Sequence, residues 1–383
     1  MKTVIQILPS LDHSGGGVEK GTLDVAKELA KKKFRSIIIS SGGNMAEKHK
    51  HKGVIHIKLS LNKKNIFSYF KVKNKIVKIF LEQKPDLVHI RSRWPAFCIN
   101  KIVKQMQIPL VTTYHGTYSG NTNFLKKKYN SLMTEGDKVI AISDFIKEEI
   151  KKHFPKSLKR TVLINRGIDI AYFDKNSIND YRKEQQIKNL FLPDKKHIIL
   201  LPGRITRWKG HEVAIKAAFI ITKTNPELNF LLIFVGSEQT KKKYLKSLKE
   251  KIIDLNLQNK ILFAGTQSDM PSIYSLSDVI ISTSIEPEAF GRVSAEACSM
   301  EKPIIATDHG GSKNIVVDQK TGFLVEPDSP EKLAKLIVST IKKSQKEKDI
   351  MGKKARERIS QKFNLNKMLK QTLNLYEELI NKK

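Results

Sequence analysis

The sequence predicts an α/β fold made of two doubly wound domains, each built on a parallel β-sheet. Short apolar runs alternate with helical stretches along the whole chain, which is the pattern of repeated βαβ units. A chain of 383 residues is too long for one ordinary hydrophobic core, so two domains are expected. A polar segment at residues 174–192 separates two halves of similar pattern. The predicted domains are therefore residues 1–175 and 193–365, followed by a helix at 366–383.

The first half contains the short runs rich in valine, isoleucine and leucine that parallel strands require. These runs predict strands at residues 4–8, 36–39, 54–58, 87–90, 110–113, 138–141 and 162–164. The intervening stretches predict helices at residues 18–32, 66–82, 96–105, 124–134 and 144–153. Ser143 is a suitable N-cap for the last of these helices, since its hydroxyl can accept a backbone hydrogen bond.

The second half repeats the architecture without repeating the sequence. Apolar runs predict strands at residues 197–202, 229–235, 261–264, 279–283, 303–306 and 322–325. Helices are predicted at residues 211–223, 241–255, 270–277, 293–299, 311–317 and 330–344, with a long helical stretch after them. In sheets of this kind, ligands bind beyond the carboxyl ends of the strands, so residues just after the strands are the candidate site residues.

The chain is strongly basic, with 70 lysines and arginines against 38 aspartates and glutamates, and a formal net charge of +32. Residues 1–178 hold 34 basic and 14 acidic side chains. Such a field favours anionic partners, namely nucleic acid, acidic glycans or anionic lipid headgroups. The alternative is that the excess is compositional, because lysine is a well-solvated surface residue. No nucleic-acid-binding signature occurs, so we expect no specific nucleic-acid partner.

Targeting and anchoring signals are missing from the sequence. No apolar run approaches the roughly 18 residues of a membrane span, and the apolar run near Met1 indicates a strand rather than a signal peptide. Cys98 and Cys298 lie far apart and fit no metal-ligand spacing, so both are interpreted as buried thiols. These features predict a cytoplasmic protein, with peripheral contact to the inner face of the cell membrane as a further expectation from the basic first domain.

One basic stretch, at residues 62–84, has two interpretations. Phe67, Tyr69 and Phe70 near its start would suit an amphipathic helix on a membrane surface. Its apolar positions would equally suit a helix packed on a sheet, and we favour that alternative; they are Ile66, Phe70, Val77 and Leu81. Arg91, Arg93 and Trp94 follow the next predicted strand and are candidate contacts for an acceptor molecule.

The most informative motif spans residues 284–297, with two carboxylates, Glu288 and Glu296, eight positions apart. Pro287 and Gly291 mark a loop after a strand, and a helix begins at about Arg292. The backbone N–H groups at that helix start can bind an anion. Two carboxylates beside them suit a ligand that carries both hydroxyl groups and a phosphate.

Three further motifs follow predicted strands. Arg204 and Lys209 come after the strand at 197–202, and they can bind phosphate as a bidentate fork and a point charge respectively. His115 ends the strand at 110–113, where it can donate to a hydroxyl or phosphate. Gly16 and Gly17 lie between the first strand and the first helix, where a backbone can approach a phosphate.

Together these motifs resemble the retaining glycosyltransferases of family 4, also called group 1. The resemblance rests on the E-x7-E pattern with its Phe-Gly, on the Gly-Arg and Lys-Gly of residues 203–210, and on the His-Gly at 115–116. It implies a GT-B-like fold of two Rossmann-type domains facing an interdomain cleft, the first on the acceptor side and the second binding a nucleotide-sugar donor. It also implies that the last helix crosses back to the first domain.

The resemblance assigns roles to individual residues. It implies that Glu288 and His115 hold the transferred sugar, and that Arg204 and Lys209 stabilise the leaving diphosphate. It implies that Glu296 binds the ribose of the nucleotide. The remaining donor contacts that it implies are Gly16, Gly17, Gly236, Thr266, Phe290, Gly291 and Arg292. Residues 165–169 resemble an interdomain turn of the family, with Arg166 inserted, and we expect a structural role for them.

The implied reaction is transfer of a sugar from a nucleoside diphosphate sugar to a glycan or a lipid-linked acceptor such as lipopolysaccharide, with retention of configuration. No D-x-D motif or other metal-ligand set occurs, so no metal and no cofactor other than the donor substrate are expected. Two alternatives stay open. One is an epimerase or a phosphorylase on the same fold, and the other is a basic nucleic-acid-binding protein.

Overall fold

The structure is a computed structural model that describes residues 1–12, 17–48, 51–118, 123–194, 196–237 and 242–382. The chain divides into two compact units, of which the first comprises residues 1–166 with 366–383 and the second residues 167–365. Each unit contains one parallel sheet with helices around it. The predicted α/β class with two doubly wound domains is therefore confirmed.

The sheet of the first unit has seven parallel strands in the order β3-β2-β1-β4-β5-β6-β7. Their bounds are β1 Thr3–Ile7, β2 Arg35–Ser40, β3 Val54–Lys58, β4 Leu87–Ile90, β5 Leu110–Tyr114, β6 Lys138–Ala141 and β7 Thr161–Leu163. Strand order reverses between β1 and β4, which pair in the register Val4 to Leu87. The carboxyl ends of strands at such a reversal are where doubly wound sheets bind ligands.

The helices of the first unit are α1 Gly17–Lys31, α2 Asn44–Lys48, α3 Ile66–Gln83, α4 Arg93–Gln105, α5 Phe124–Ser131 and α6 Asp144–His153. Each of the central strands is buried along its whole length, as expected of a sheet that helices cover on both faces. Ser143 caps α6 as predicted, since its hydroxyl accepts a hydrogen bond from the N–H of Ile146 at 3.2 Å.

One face of α3 was assigned incorrectly from the sequence. Ile66, Phe70 and Leu81, which were expected to pack on the sheet, are exposed. The buried residues of this helix are instead Val72, Ile76 and Phe80. These three positions are spaced by four residues and therefore share one side of the helix. The first turn of α3 consequently presents its apolar side chains to solvent.

The sheet of the second unit has six parallel strands in the order β10-β9-β8-β11-β12-β13. Their bounds are β8 His197–Pro202, β9 Phe230–Val235, β10 Ile261–Phe263, β11 Val279–Ser282, β12 Ile304–Thr307 and β13 Phe323–Val325. Here the strand order reverses between β8 and β11. The loops that follow these two strands, residues 203–210 and 283–291, therefore lie next to each other at the ligand-binding edge.

The helices that begin in the second unit are α7 Asp180–Leu190, α8 His211–Thr224, α9 Lys242–Asp254, α10 Met270–Leu276, α11 Arg292–Ser299, α12 Gly310–Ile315, α13 Pro330–Lys342, α14 Gln345–Lys362 and α15 Leu365–Asn381. Apart from its first residue, α15 belongs to the first unit, where Tyr376 is fully buried and hydrogen-bonded to His89 on β4. Within the described residues, no helix is long and apolar enough to cross a membrane.

The polar segment at 174–192 is part of the second unit and contains a helix, α7. Asn179 caps this helix by accepting a hydrogen bond from the N–H of Arg182 at 2.9 Å. Arg182 in turn donates to both carboxylate oxygens of Asp269, at 3.1 and 2.7 Å. The preceding residues are also held to this unit, because Arg356 bonds Asp174 at 2.9 Å. The second unit thus begins at Gly167, earlier than residue 193.

Candidate functional site

Lys209 and Glu288 form a direct ion pair in the second unit. The Lys209 Nζ lies 2.7 Å from the Glu288 Oε1, and Glu288 is only 8% exposed. Ser284 donates its hydroxyl to the same carboxylate oxygen at 2.5 Å. The ammonium also lies 4.3 Å from the centre of the Trp208 ring, a favourable cation–π distance. Two residues 79 positions apart in sequence are thus brought together by the reversal of strand order.

Backbone contacts between the two loops hold the pair in position. The N–H of Ile285 donates to the carbonyl of Trp208 at 2.8 Å, and the hydroxyl of Thr283 donates to the carbonyl of Lys209 at 3.0 Å. Gly210 makes this approach possible, because its φ is +70° and a Cβ there would lie 1.9 Å from the carbonyl oxygen of Thr283. The loops therefore pack as one rigid element beneath the ion pair.

The Glu288 carboxylate is ionised despite its burial. Burial alone would raise its pKa, but the Lys209 ammonium and the hydrogen bonds from Lys209 and Ser284 lower the pKa below the usual value. The backbone of Glu288 is also fixed, since its carbonyl accepts a hydrogen bond from the N–H of Gly311 at 2.6 Å. The site therefore presents a charged carboxylate in a fixed orientation, which is suited to accepting hydrogen bonds from hydroxyl groups.

Glu296, on α11, is bonded through both of its carboxylate oxygens. Arg292 donates its Nε–H to Oε1 at 2.6 Å, and the Tyr274 hydroxyl donates to Oε2 at 2.9 Å. Burial raises the pKa of Tyr274 well above its ordinary value, and the charges of Glu296 and Glu288 raise it further. Both carboxylates of the E-x7-E motif thus raise the pKa of the same buried phenol, so the two carboxylates lie near each other.

The other predicted donor contacts in the second unit have different environments. Arg204 is exposed and makes no ion pair with any residue that the structure describes, and Thr266 is exposed in the loop after β10.

Gly291 is the N-cap of α11. The ring of Phe290 is buried and packs 5.9 Å from that of Phe363, so only its backbone is open to a ligand. At Gly236, a Cβ would lie 1.9 Å from the carbonyl oxygen of Gly203, so this glycine is required for packing.

His115 follows β5 in the first unit. Both of its ring nitrogens are buried and have no hydrogen-bond partner among the described residues. Burial, followed by the charges of Arg166 and Arg91, lowers the pKa of His115 well below its ordinary value. The imidazole is therefore neutral at physiological pH. It borders a cavity of about 30 Å³ that is also lined by His89, Arg91 and Arg166, which is enough volume for roughly one or two water molecules.

Comparison with known proteins identifies the family. Residues 15–172 match the family model "Glycosyltransferase Family 4", and residues 182–358 match the model "Glycosyl transferases group 1". A glycosyltransferase from Rickettsia africae, known from its crystal structure, is 35% identical over the whole of this chain and 99% of its own, with a TM-score of 0.90.

The chain belongs to the family 4, group 1 glycosyltransferases.

Two further relatives are more distant. The N-acetyl-alpha-D-glucosaminyl L-malate synthase of Bacillus anthracis is 24% identical, over 99% of this chain and 97% of its own. The Anabaena protein HepE, solved in complex with UDP and glucose, is 21% identical over 98% of this chain and 100% of its own, with a TM-score of 0.82. At that identity HepE supports the fold, and the fold of this glycosyltransferase is GT-B, as expected.

The candidate acceptor contacts of this glycosyltransferase are already engaged within the first unit. Arg91 is buried, and its Nε–H donates to the Gln6 side chain at 2.9 Å. Arg93 donates to the Asn130 side chain at 2.7 Å, and Trp94 is largely buried. These side chains are thus held within the first unit, and their role as contacts for an acceptor stays a prediction.

The glycine-rich segment before α1 is only partly described. Gly16 lies outside the described residues, and Gly17 is the first residue of α1. A Cβ at Gly17 would lie 3.0 Å from the Arg166 Nη1, and one at Gly21 would lie 2.7 Å from its Nη2. These glycines thus make room for a guanidinium beside His115. Arg166, which was expected to have only a structural role in a turn, therefore contributes positive charge beside His115.

Tyr274 and His309 are site residues that sequence reasoning missed. His309 donates from Nε2 to the carbonyl of Ser284 at 2.8 Å, and its charge helps to lower the pKa of Glu288. His309 stands next to the glycine pair Gly310-Gly311 in the sequence, which was a usable signal, whereas nothing in the sequence distinguishes Tyr274 from a core residue. In the described part of the chain, no group of three or more histidine, cysteine or acidic side chains could hold a metal ion.

Proposed function

We propose that this glycosyltransferase transfers a sugar from a nucleoside diphosphate sugar to an acceptor hydroxyl, with retention of the anomeric configuration. The observation that carries the proposal is the Lys209–Glu288 pair, a buried carboxylate that a neighbouring ammonium keeps ionised. A fixed carboxylate of this kind can accept hydrogen bonds from sugar hydroxyls. The binding of UDP and glucose by HepE supports the donor class.

In the proposed donor complex, the cations of the second unit bind the diphosphate. Arg204 is exposed and its guanidinium can take two phosphate oxygens at once. Lys209 adds a point charge beside Glu288. The ribose is held by Glu296, and the other donor contacts are Gly16, Gly17, Gly236, Thr266, Phe290, Gly291 and Arg292. Phe290 and the glycines would act through their backbone groups.

The proposed reaction takes place on one face of the sugar. The bond between the anomeric carbon and the diphosphate oxygen breaks, and the acceptor oxygen bonds to that carbon from the same face. The acceptor proton passes to the leaving diphosphate. Arg204 and Lys209 stabilise the negative charge that develops there, so the proposal requires no metal ion and no other cofactor. Neutral His115 and anionic Glu288 orient the sugar by hydrogen bonding.

We also propose that the acceptor is a glycan or a lipid-linked glycan such as lipopolysaccharide, and that the protein works in the cytoplasm at the inner face of the cell membrane. The support is the excess of basic residues in residues 1–178, which would attract an anionic acceptor or lipid surface. The proposed role of the first unit is to bind this acceptor.

A ligand screen tests the donor. Thermal unfolding of the full chain is measured in EDTA with UDP, GDP and ADP, and then with their sugars. A ligand at 100 times its dissociation constant stabilises the folded protein by about 2.7 kcal/mol, which is readily detected as a raised Tm. We expect one nucleoside diphosphate to raise the Tm. The absence of any shift with every nucleotide would contradict the proposed donor site.

Activity assays test the site residues. Glu288→Ala and Lys209→Ala should each lower turnover by at least about tenfold, or roughly 1.4 kcal/mol of barrier. The matched control is Lys332→Ala, since Lys332 forms an exposed ion pair of the same 2.7 Å length with Glu326 in this unit. Product analysis by NMR, with and without acceptor, distinguishes transfer with retention from epimerisation or phosphorolysis. Unchanged turnover in both site variants would overturn the proposal.

A further inference from the structure

Two helices of the first unit, α3 and α5, begin in the same way. Asn65 and Asn123 are their N-caps, and each side chain accepts a backbone hydrogen bond, at 2.8 and 3.1 Å. In both helices the next two residues are apolar and exposed: Ile66 and Phe67 in α3, Phe124 and Leu125 in α5. Phe67 is 84% exposed and Phe124 is 76% exposed. Exposed phenylalanines at two capped helix starts require an explanation, because large apolar side chains are normally covered.

Aromatic contacts join the two helix starts into one surface. Tyr69 on α3 lies 5.4 Å from Phe97 on α4, and Phe97 lies 6.1 Å from Tyr129 on α5, all between ring centres. Phe97 is itself exposed. Leu125 precedes Tyr129 by four residues and therefore lies on the same side of α5. We call this region, with the lysines around it, the aromatic–lysine surface.

The chain segments that form this surface carry only positive charge. Residues 48–81 and 87–134 contain no aspartate or glutamate. The lysines that flank the apolar residues are all exposed, and none forms an ion pair with a described residue: Lys63, Lys64, Lys71, Lys126, Lys127 and Lys128. Some lysines elsewhere on the molecule pair with a carboxylate, as Lys332 does with Glu326. This surface therefore combines uncovered apolar side chains with unneutralised positive charge.

We propose that the aromatic–lysine surface docks on an anionic lipid bilayer. Phenylalanine and leucine side chains at the helix starts enter the boundary between headgroups and acyl chains, while the flexible lysine stems let the ammonium groups reach the lipid phosphates. Ile66 and Leu125 favour lipid over single-stranded nucleic acid, because aliphatic side chains offer no ring on which bases stack. The inference is independent of the donor chemistry and rests on the proposed location at the membrane.

Vesicle flotation of the full chain tests the proposal. Binding is measured to vesicles of phosphatidylglycerol mixed with phosphatidylcholine, and to vesicles of phosphatidylcholine alone. We expect binding only to the anionic vesicles. The double variant Phe67→Ser/Phe124→Ser and the triple variant Lys126→Gln/Lys127→Gln/Lys128→Gln should each bind at least about tenfold more weakly, because both the apolar and the electrostatic contributions are needed.

Matched controls come from the second unit. Phe191→Ser removes a phenylalanine that is 91% exposed there, and Lys335→Gln/Lys353→Gln/Lys354→Gln removes the same charge from an exposed region. Both should bind like the wild type. Equal losses in the control and surface lysine variants would mean that net charge alone drives binding, and would overturn the proposal. Wild-type binding by the double phenylalanine variant would overturn it too.

Two further measurements separate the possible failures. All variants should keep the wild-type Tm shift with nucleoside diphosphate, so a protein that binds nucleotide but not vesicles rejects this surface and leaves the proposed donor chemistry intact. Binding to a short single-stranded oligonucleotide is measured in parallel. Tight oligonucleotide binding that depends on Phe67 and Phe124 would identify a nucleic-acid surface, and would overturn the lipid assignment.

Discussion

The polar groups of the two units are arranged in opposite ways. In the second unit, Lys209 and Glu288 carry opposite charges and bond directly at 2.7 Å. In the first unit, Arg91 and Arg166 are both cations and both lower the pKa of His115, whose ring nitrogens have no partner among the described residues. The first arrangement holds a charge in place by pairing it, and the second keeps a histidine neutral by burying it and placing positive charge beside it.

This difference determines how each unit should respond to change. A buried ion pair is costly to halve, because removal of one partner leaves the other charge without compensation. A buried neutral histidine hardly lowers the free energy of unfolding until the pH falls below the pKa of that histidine in the unfolded chain. The site of the second unit should therefore be sensitive to substitution, and the site of the first unit to acid.

The largest effect is expected from the variant Lys209→Met. It leaves Glu288 buried beside Ser284 with its counterion gone, so unfolding should become easier by about 3 kcal/mol and turnover should fall by about 100-fold. Urea unfolding and steady-state kinetics measure the two losses. In the control Lys332→Ala, which halves an exposed pair of equal length, stability should change by less than about 1 kcal/mol.

A double variant then tests whether the loss belongs to the pair. Lys209→Met/Glu288→Leu replaces both charges by apolar groups, and such replacements are often neutral for stability. We expect it to regain most of the stability while activity stays low. Instability equal to the sum of the two single variants would show that the residues act independently, and the contrast between the units would lose its basis.

The sequence predicted the fold well, and two residues that it singled out in the second unit, Lys209 and Glu288, lie together there, for identifiable reasons. Parallel strands are continuous apolar runs, and the carboxylates of the E-x7-E motif lie close together in sequence. Lys209 was found because it follows a strand, although its bond to Glu288 required knowledge of the strand order. Arg166 was expected to have only a structural role in a turn. Its guanidinium lies beside His115 because α1 has glycines at positions 17 and 21, where a side chain would meet the guanidinium. No local sequence pattern reveals this arrangement.

Errors arose where tertiary packing decides exposure. The apolar residues of α3 fit two helical faces, and the face that is buried contains Val72, Ile76 and Phe80. Arg91 was expected at an open edge, but Gln6 on the adjacent strand β1 offers it a buried acceptor. The helix α7 was missed because few of its residues are buried, so it carries little apolar periodicity.

Acid provides the next test. Burial and neighbouring cations lower the pKa of His115 well below 6.5, so the folded protein keeps it neutral while the unfolded chain binds a proton below that pH. The free energy of unfolding therefore decreases as the pH falls through 6.5, and the decrease due to His115 reaches about 1.4 kcal/mol one pH unit lower. Urea unfolding at pH 7.5 and 5.5 should show a smaller acid loss for His115→Gln than for the wild type.

His211 in the second unit is the control for this prediction. Burial lowers its pKa to about 4, so it contributes a penalty of the same sign between pH 6.5 and 4. Glu288 contributes little between pH 7.5 and 5.5, since this carboxylate is ionised there in both the folded and the unfolded chain. If His211→Gln reduced the acid loss and His115→Gln did not, the sensitivity to acid would belong to the second unit, and the comparison would be reversed.

A smaller effect is expected from Gly21→Ala. Alanine favours a helix over glycine by up to about 1 kcal/mol, so stability should stay within about 1 kcal/mol of the wild type. Its methyl group would lie 2.7 Å from the Arg166 Nη2, which forces the guanidinium away from His115. Turnover should therefore fall about three- to tenfold. Arg166→Lys keeps the charge and should lose less activity than Arg166→Gln, whereas equal losses would mean that the field at His115 is unimportant.

The smallest effect is expected from Arg292→Ala. Its bond to Glu296 joins residues four apart on one helix, its side chain is one-third exposed, and the buried Glu296 keeps a second partner in Tyr274, so the cost to stability should be about 1 kcal/mol or less. Lys246→Ala breaks another pair of that spacing, with Glu250, and should match it. Glu296 keeps its bond from Tyr274, so its position should persist. Glu296 would therefore still be in place to hold the ribose in this variant. If the loss of nucleotide binding free energy is much larger than the loss of stability, Arg292 itself must bind the nucleotide.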